Sequence, residues 1–356
     1  VAANSVFSLG DQHLFMMASL SVLLLGLASV SAIKNGKFKI APLIGVQAVL
    51  FLFFLFSSMY SATFLVSFGQ AVISIFGLMV SMIIGRHCFF IKSLDCDYFF
   101  GLWLSILLWT YLVKFSSLLY FQNQLRLVPS DEKALLAAIC GFYFISRFSI
   151  IRSSISISLL FAGASISAFL ASTPLLLSTK YRVFGLILMI SFIMIGYLIF
   201  VQVDNGTLSL YGKSIEYLIS GSGRFQVYEE LIDVITRGHP LQWAIGNGYM
   251  SERSALVGRD LSWTIDAHNN ILQSMYGVGV LGTALMLYLW YRFAKFFSRE
   301  AAGIFRQHSN LFFYAVVACA IFGLTSSHFF SRPSMSAIFI TSLYYFCWLK
   351  IISTKQ

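Results

Sequence analysis

Runs of about twenty apolar residues, separated mostly by short loops, recur along the chain, and nothing else constrains its fold as tightly. Crossing about 30 Å of hydrocarbon at 1.5 Å per residue takes about twenty residues of α-helix. The runs are continuous rather than alternating, so they predict membrane helices and not barrel strands. Length and hydropathy place spans at 14–33, 40–57, 63–85, 98–119, 134–146, 153–172, 183–203, 270–291, 311–329 and 335–349, of which 134–146 is the shortest. Composition agrees: 58% of the 356 residues are hydrophobic and 11% charged, against about 25% charged in a globular chain. The expected fold is all-α, one polytopic integral membrane domain over 1–356 with about ten transmembrane helices and one large external loop, 203–269.

The net charge of +10 comes from residues that sit mostly singly in short loops between apolar spans. That spacing fits cytoplasmic loops and anionic lipid headgroups, and disfavours nucleic acid as a partner. The five cysteines have no metal-ligand spacing, and no metal or cofactor is expected. Cys140, Cys319 and Cys347 fall in apolar runs, while Cys88 and Cys96 are read as free thiols or, in an external loop, as a pair. All fourteen acidic residues fall in loops or at span ends. A proton-coupled pump usually keeps a carboxylate inside the bilayer, so that class is disfavoured. The chain opens at Val1 with no signal-peptide pattern, and a few residues or one further helix are expected ahead of it.

Charge asymmetry orients the C-terminal half. Arg292, Lys295, Arg299 and Arg306 fill one short loop, and Lys350 and Lys355 follow the last span, so both belong to the cytoplasm. The long polar segment is then external. Counting spans backwards puts Lys180 and Arg182 inside, Arg147 and Arg152 outside, and both termini inside. The same count puts Lys34, Lys37, Lys39, Arg86 and Lys92 outside, against the positive-inside rule, so one segment of the first half is re-entrant or misplaced.

The segment 203–269 carries eight of the fourteen carboxylates and five basic residues, so any anion site within it is local. Gly223 frees the backbone beside Arg224, and 225–235 predicts a short amphipathic helix with Phe225, Tyr228, Leu231, Ile232 and Ile235 on one side. His239-Pro240 ends that helix, Trp243 and Ile245 offer an interfacial anchor, and Gly246-Asn247-Gly248 forms a turn before Arg253 and Arg259. His268 stands where the loop enters a helix, with Asn269 or Asn270 capping the amides of the first turn. On the backward count Arg147, Arg152, Arg224, His268, His328 and Arg332 converge on the outer surface. Arginine suits a diphosphate because its planar fork donates two parallel hydrogen bonds, although interfacial arginines also snorkel to phospholipid phosphates. Histidine, with an ordinary pKa near 6.5, accepts a hydroxyl proton at neutral pH. Taken alone, a histidine at a helix cap is more often structural than chemical.

Ser222-Gly223-Arg224, then Tyr228-Glu229, a Gly-Asn-Gly turn, His268-Asn269 and a helix with Gly277-x-Gly279-x-x-Gly282 together resemble the C-terminal region of O-antigen ligases and O-antigen polymerases. The resemblance spans roughly 144–336, with Ser146-Arg147 as the outer Ser/Thr-Arg and Phe330-Ser331-Arg332-Pro333 as the last external loop. It implies a metal-independent, inverting glycosyltransferase of the all-helical GT-C-like membrane class in the bacterial inner membrane, working on its periplasmic side. The implied donor is an undecaprenyl-diphosphate-linked glycan and the implied acceptor another glycan, with a chain-length regulator as a further partner. Arg147 and Arg224 would hold the diphosphate and His268 would act as base, with Arg182 a rival for the first arginine. Arg152, Tyr228, Asn269, Arg253, Arg259, His328 and Arg332 would line the substrate. Tyr228 stands where many members carry Trp, and ten spans stand where ligases tend to have twelve. The expected activity is O-antigen polymerase, with O-antigen ligase, a protein O-oligosaccharyltransferase or a lipid-linked oligosaccharide flippase as alternatives.

Overall fold

The computed structural model describes residues 40–91, 96–118, 131–162, 166–176, 201–204, 207–210, 213–214, 224–252, 268–326, 330 and 334–355. The span expected at 14–33 and nearly all of 183–203 lie outside those residues. The described chain is predominantly helical: α1 (Pro42–Ser58), α2 (Phe64–Phe90), α3 (Cys96–Leu118), α4 (Asp131–Ser146), α5 (Ile150–Ala162), α6 (Ile166–Leu176), α7 (Arg224–Thr236), α8 (Pro240–Ile245), α9 (Asn270–Lys295), α10 (Ser309–Gly323) and α11 (Met335–Lys355). A small antiparallel sheet, β1 (Val201–Asp204), β2 (Thr207–Leu210) and β3 (Lys213–Ser214), opens the polar segment. Its first residues, Val201 to Val203, close the span expected at 183–203. Among the described residues three helices are long and apolar enough to cross a membrane, Phe64–Phe90, Asn270–Gly303 and Met335–Lys355, beside several shorter apolar ones.

Aromatic packing ties the bundle together. Phe100 stacks on Tyr143 at 4.0 Å and meets Phe312 and Phe339, so α3, α4, α10 and α11 share one core. Cross-contacts fix the directions. Leu43 N donates to Tyr344 Oη and Thr341 Oγ1 to Gln47 Oε1, which sets α1 antiparallel to α11. A Cβ on Gly77 would touch Ile338 and one on Gly85 the backbone of Ser342 and Phe346, so α2 runs parallel to α11. Glu132, at the start of α4, accepts from Ser336 N and Oγ, both at 2.6 Å, at the start of α11. At the other end of α4, the Tyr143 ring lies 5.2 Å from that of His308, the residue before α10.

Two expectations need correction. The span 153–172 is two helices, α5 and α6. The helix expected at 270–291 folds back on itself: Ser274 Oγ donates to Met286 Sδ at 3.3 Å, although twelve residues of straight helix span about 18 Å. The fold-back occurs at Gly279, at φ 65° and ψ −167°, a region essentially confined to glycine. Glu132 at a span end and Glu252 in the long loop lie where the sequence places them, and both are buried.

One end of the bundle collects positive charge. Lys350 Nζ sits 5.2 Å from the Phe305 ring centre, Phe305 packs on Phe312, Phe312 on His308, and His308 on Tyr143 beside Arg147. Arg86 arrives there on α2, whose Gly85 abuts Phe346. Arg147 and Arg152 therefore share an end with the basic C-terminal loop, not with Arg224, which corrects the backward count. The correction also removes the conflict over Arg86: it lies with the other cations, as the positive-inside rule requires.

Candidate functional site

Four of the expected site residues meet at the opposite end. Arg224 opens α7, and its Nη1 reaches Ser167 Oγ on α6 at 3.4 Å. One turn on, Tyr228 Oη donates to the His268 carbonyl at 3.0 Å. His268 adopts φ 50°, a left-handed conformation that turns the chain into α9. Asn269 is the cap: its Oδ1 accepts from Ile271 N at 2.9 Å and Leu272 N at 3.1 Å, satisfying two amides that a helix start leaves open. Its Nδ2 donates to the Leu324 carbonyl just past α10, fixing the junction to the end of that helix. Burial raises the Tyr228 phenol above its ordinary value, with Arg224 and Asn269 pulling the other way, so it stays a neutral donor at physiological pH.

The amphipathic α7 forms as the sequence predicts, with a shifted face. Val227 and Leu231 are buried against Tyr276 and Leu272 of α9, while Phe225 and Ile232 point outward. His239 caps α8 through Nδ1, accepting from Leu241 N, while Gln242 Oε1 accepts from His239 N. The Gly246-Asn247-Gly248 turn then lies along α9. Asn247 N and Gly248 N donate to the carbonyls of Tyr276 and Gly277 at 2.8 and 3.0 Å, the acceptors that the break at Gly279 frees. Gln273 Nε2 donates to Glu252 Oε1 at 2.8 Å and approaches Met250 Sδ at 3.0 Å, all buried. Ser167, Glu252 and Gln273 escaped sequence reasoning; the signal for Glu252 was its place directly behind a glycine turn that has to touch another backbone.

Arg147 and Arg152 are not part of this cluster. The fifteen residues of α10, about 22 Å, separate His308 beside Tyr143 from Leu324 beside Asn269. Arg147 Nε instead donates to Asp97 Oδ1 at 3.1 Å, and Tyr143 Oη donates to the same oxygen. That hydrogen bond raises the Arg147 guanidinium further above its ordinary value. Arg152 lies over the Phe144 ring at 5.3 Å. Arg182, Arg253, Arg259, His328 and Arg332 fall outside the described residues. The five cysteines are buried thiols with no disulfide among them, which leaves no Cys88–Cys96 bridge.

Fold and site thus define a class: a helical protein with helices of membrane-crossing length, a basic end, and an Arg-Tyr-His-Asn cluster at the other end beside a folded-back helix. Compared with known proteins, the chain matches no family model and no curated relative.

Proposed function

We propose that the chain is an O-antigen polymerase of the bacterial inner membrane, transferring an undecaprenyl-diphosphate-linked glycan to a sugar hydroxyl of another lipid-linked repeat unit. The observation that carries this reading is the Tyr228 hydrogen bond to the His268 carbonyl, which joins the Arg224 helix to the histidine. The basic end faces the cytoplasm by the excess of Lys and Arg, so the cluster faces the periplasm. There the His268 imidazole takes the proton of the acceptor hydroxyl, whose oxygen attacks the anomeric carbon. The bond to the diphosphate breaks, its electron pair leaves with undecaprenyl diphosphate, and the anomeric configuration inverts. Arg224 stabilises the charge growing on that leaving group.

The test is the surface glycan of a null strain complemented with His268→Ala, at protein levels matched by blot. A polymerase leaves a single repeat on the lipopolysaccharide core, whereas a ligase strands full-length polymer on its lipid carrier. A wild-type ladder at normal expression would mean that His268 only turns the chain into α9, and the catalytic reading falls.

A further inference from the structure

At the basic end an open groove of about 400 Å³ runs between α3 and α5. Its wall follows α3 from Asp97 past Gly101 and Leu104 to Leu108, about 16 Å of helix, and is completed by Ile155 and Arg152 of α5. The wall is apolar along most of its length and charged at its mouth. Beside that mouth the turn from α4 to α5 exposes apolar side chains: Phe148, Ile150 and Ile151 are 72%, 78% and 76% exposed. Phe148 adopts φ 56°, in the left-handed region. Three outward apolar residues bracketed by Arg147 and Arg152 are the pattern of a turn seated in a lipid interface, with cations at headgroup depth.

Charge narrows the occupant. Asp97 at the mouth is held by Arg147 Nε and Tyr143 Oη, so its negative charge is already matched. Asp97, Arg147 and Arg152 together carry +1, and the Arg152 guanidinium lies 4.0 Å from where a Gly101 side chain would begin, inside the groove. We infer that this groove binds one anionic glycerophospholipid, an acyl chain lying along α3 between Gly101 and Leu108 and the phosphate against Arg152. The excess of Lys and Arg at this end assigns it to the cytoplasmic leaflet, where anionic lipids are concentrated. The site is separate from the Arg224–His268 cluster and does not depend on the function proposed for it.

The experiment is thermal unfolding of the full chain in detergent, titrated with dioleoyl phosphatidylglycerol or dioleoyl phosphatidylcholine, with inorganic phosphate as a third arm. A ligand that binds only the folded state raises the midpoint in proportion to its occupancy. The anionic phosphatidylglycerol should give the larger, saturating shift. Arg152→Gln should lose that excess and Arg152→Lys keep most of it. Gly101→Phe should lose it by filling the groove, since among the described residues only the Arg152 side chain lies within 4 Å of that position. Native mass spectrometry of the same samples should show one retained anionic lipid in wild type and none in Gly101→Phe, a readout that stands even if a variant unfolds early. Equal shifts from both lipids, a full shift from phosphate alone, or an excess that survives in Arg152→Gln and Gly101→Phe would overturn the site. The last result would mean that the anionic lipid binds elsewhere on the protein.

Discussion

Tyr228 is the residue on which the cluster turns, because its hydroxyl is the described link between α7 and the backbone of His268. A hydrogen bond of this kind contributes about 0.5–1.5 kcal/mol. On the proposed function, Tyr228→Phe should therefore lower glycan transfer by roughly two- to tenfold without unfolding the protein, measured on purified protein with a lipid-linked donor. The raised phenol adds a pH signature. Folding favours the protonated form, so this stabilisation is complete below the ordinary phenol range and is lost as pH climbs through the raised value. Wild type should lose more stability than Tyr228→Phe under strong alkali. The arginines separate in the same assay. Arg224→Ala should abolish transfer, whereas Arg147→Ala removes an ion pair about a third exposed and should cost less than about 1 kcal/mol of stability with the ladder intact. The site was legible where it is local: a His-Asn pair before an apolar run marks a helix start, and Asn269 caps it as read. Arg147 was misplaced because its side of the membrane rested on counting spans, and one miscounted crossing reverses every residue before it.

At the scale of the element, the folded-back α9 organises the site, and its fold-back depends on close backbone contact. A Cβ on Gly279 would stand 2.5 Å from the Ala244 carbonyl carbon and oxygen, in a conformation that disfavours any side chain. Gly246 lies on the facing strand of chain with φ 81°, its absent Cβ aimed at the Gly277 carbonyl. Gly279→Ala should destabilise by about 1–3 kcal/mol from strain alone, with more from the clash, and should abolish activity with the lost fold-back. Expression and unfolding midpoint are the checks. Glu252 and Gln273 clamp the first arm from the side. Glu252→Ala leaves a buried Gln273 amide short of an acceptor, at about 1–3 kcal/mol, and much of that loss should be recovered when Gln273→Leu is added. None of this was legible in hydropathy, because a window averaged over twenty residues reads Asn270 to Tyr291 as one apolar helix. The glycines at 277, 279 and 282 were visible as a small-residue stripe. That they break the helix follows from the Gly246–Gly248 backbone that lies against them, a contact distant in sequence.

For the whole molecule, the separation of a basic end from the Arg224–His268 end is a statement about membrane sidedness, and the protein carries its own means of checking it. The five cysteines are buried, so a membrane-impermeant maleimide meets little background reaction on intact cells. Single cysteines placed at exposed positions then report their side. Thr236, at the end of α7, lies on the site side, and Gln307, before α10, on the basic side. Thr236→Cys should label from outside, and Gln307→Cys only after permeabilisation. Phe90 and Arg147 decide between the structure and a simple count of apolar runs. Counting spans sets both outside, while the contacts of Gly85 with Phe346 and of Tyr143 with His308 bring them to the basic end. Phe90→Cys and Arg147→Cys should therefore behave like Gln307→Cys. If Arg147→Cys labels from outside together with Thr236→Cys, the two ends are not on opposite faces. Arg147 would then return to the donor site and the anionic-lipid groove would move to the outer leaflet. If only the permeabilised cells label at 90, 147 and 307, the diphosphate chemistry proposed at Arg224 and the lipid binding inferred at Arg152 sit on opposite faces. A substitution in one should then leave the other unchanged.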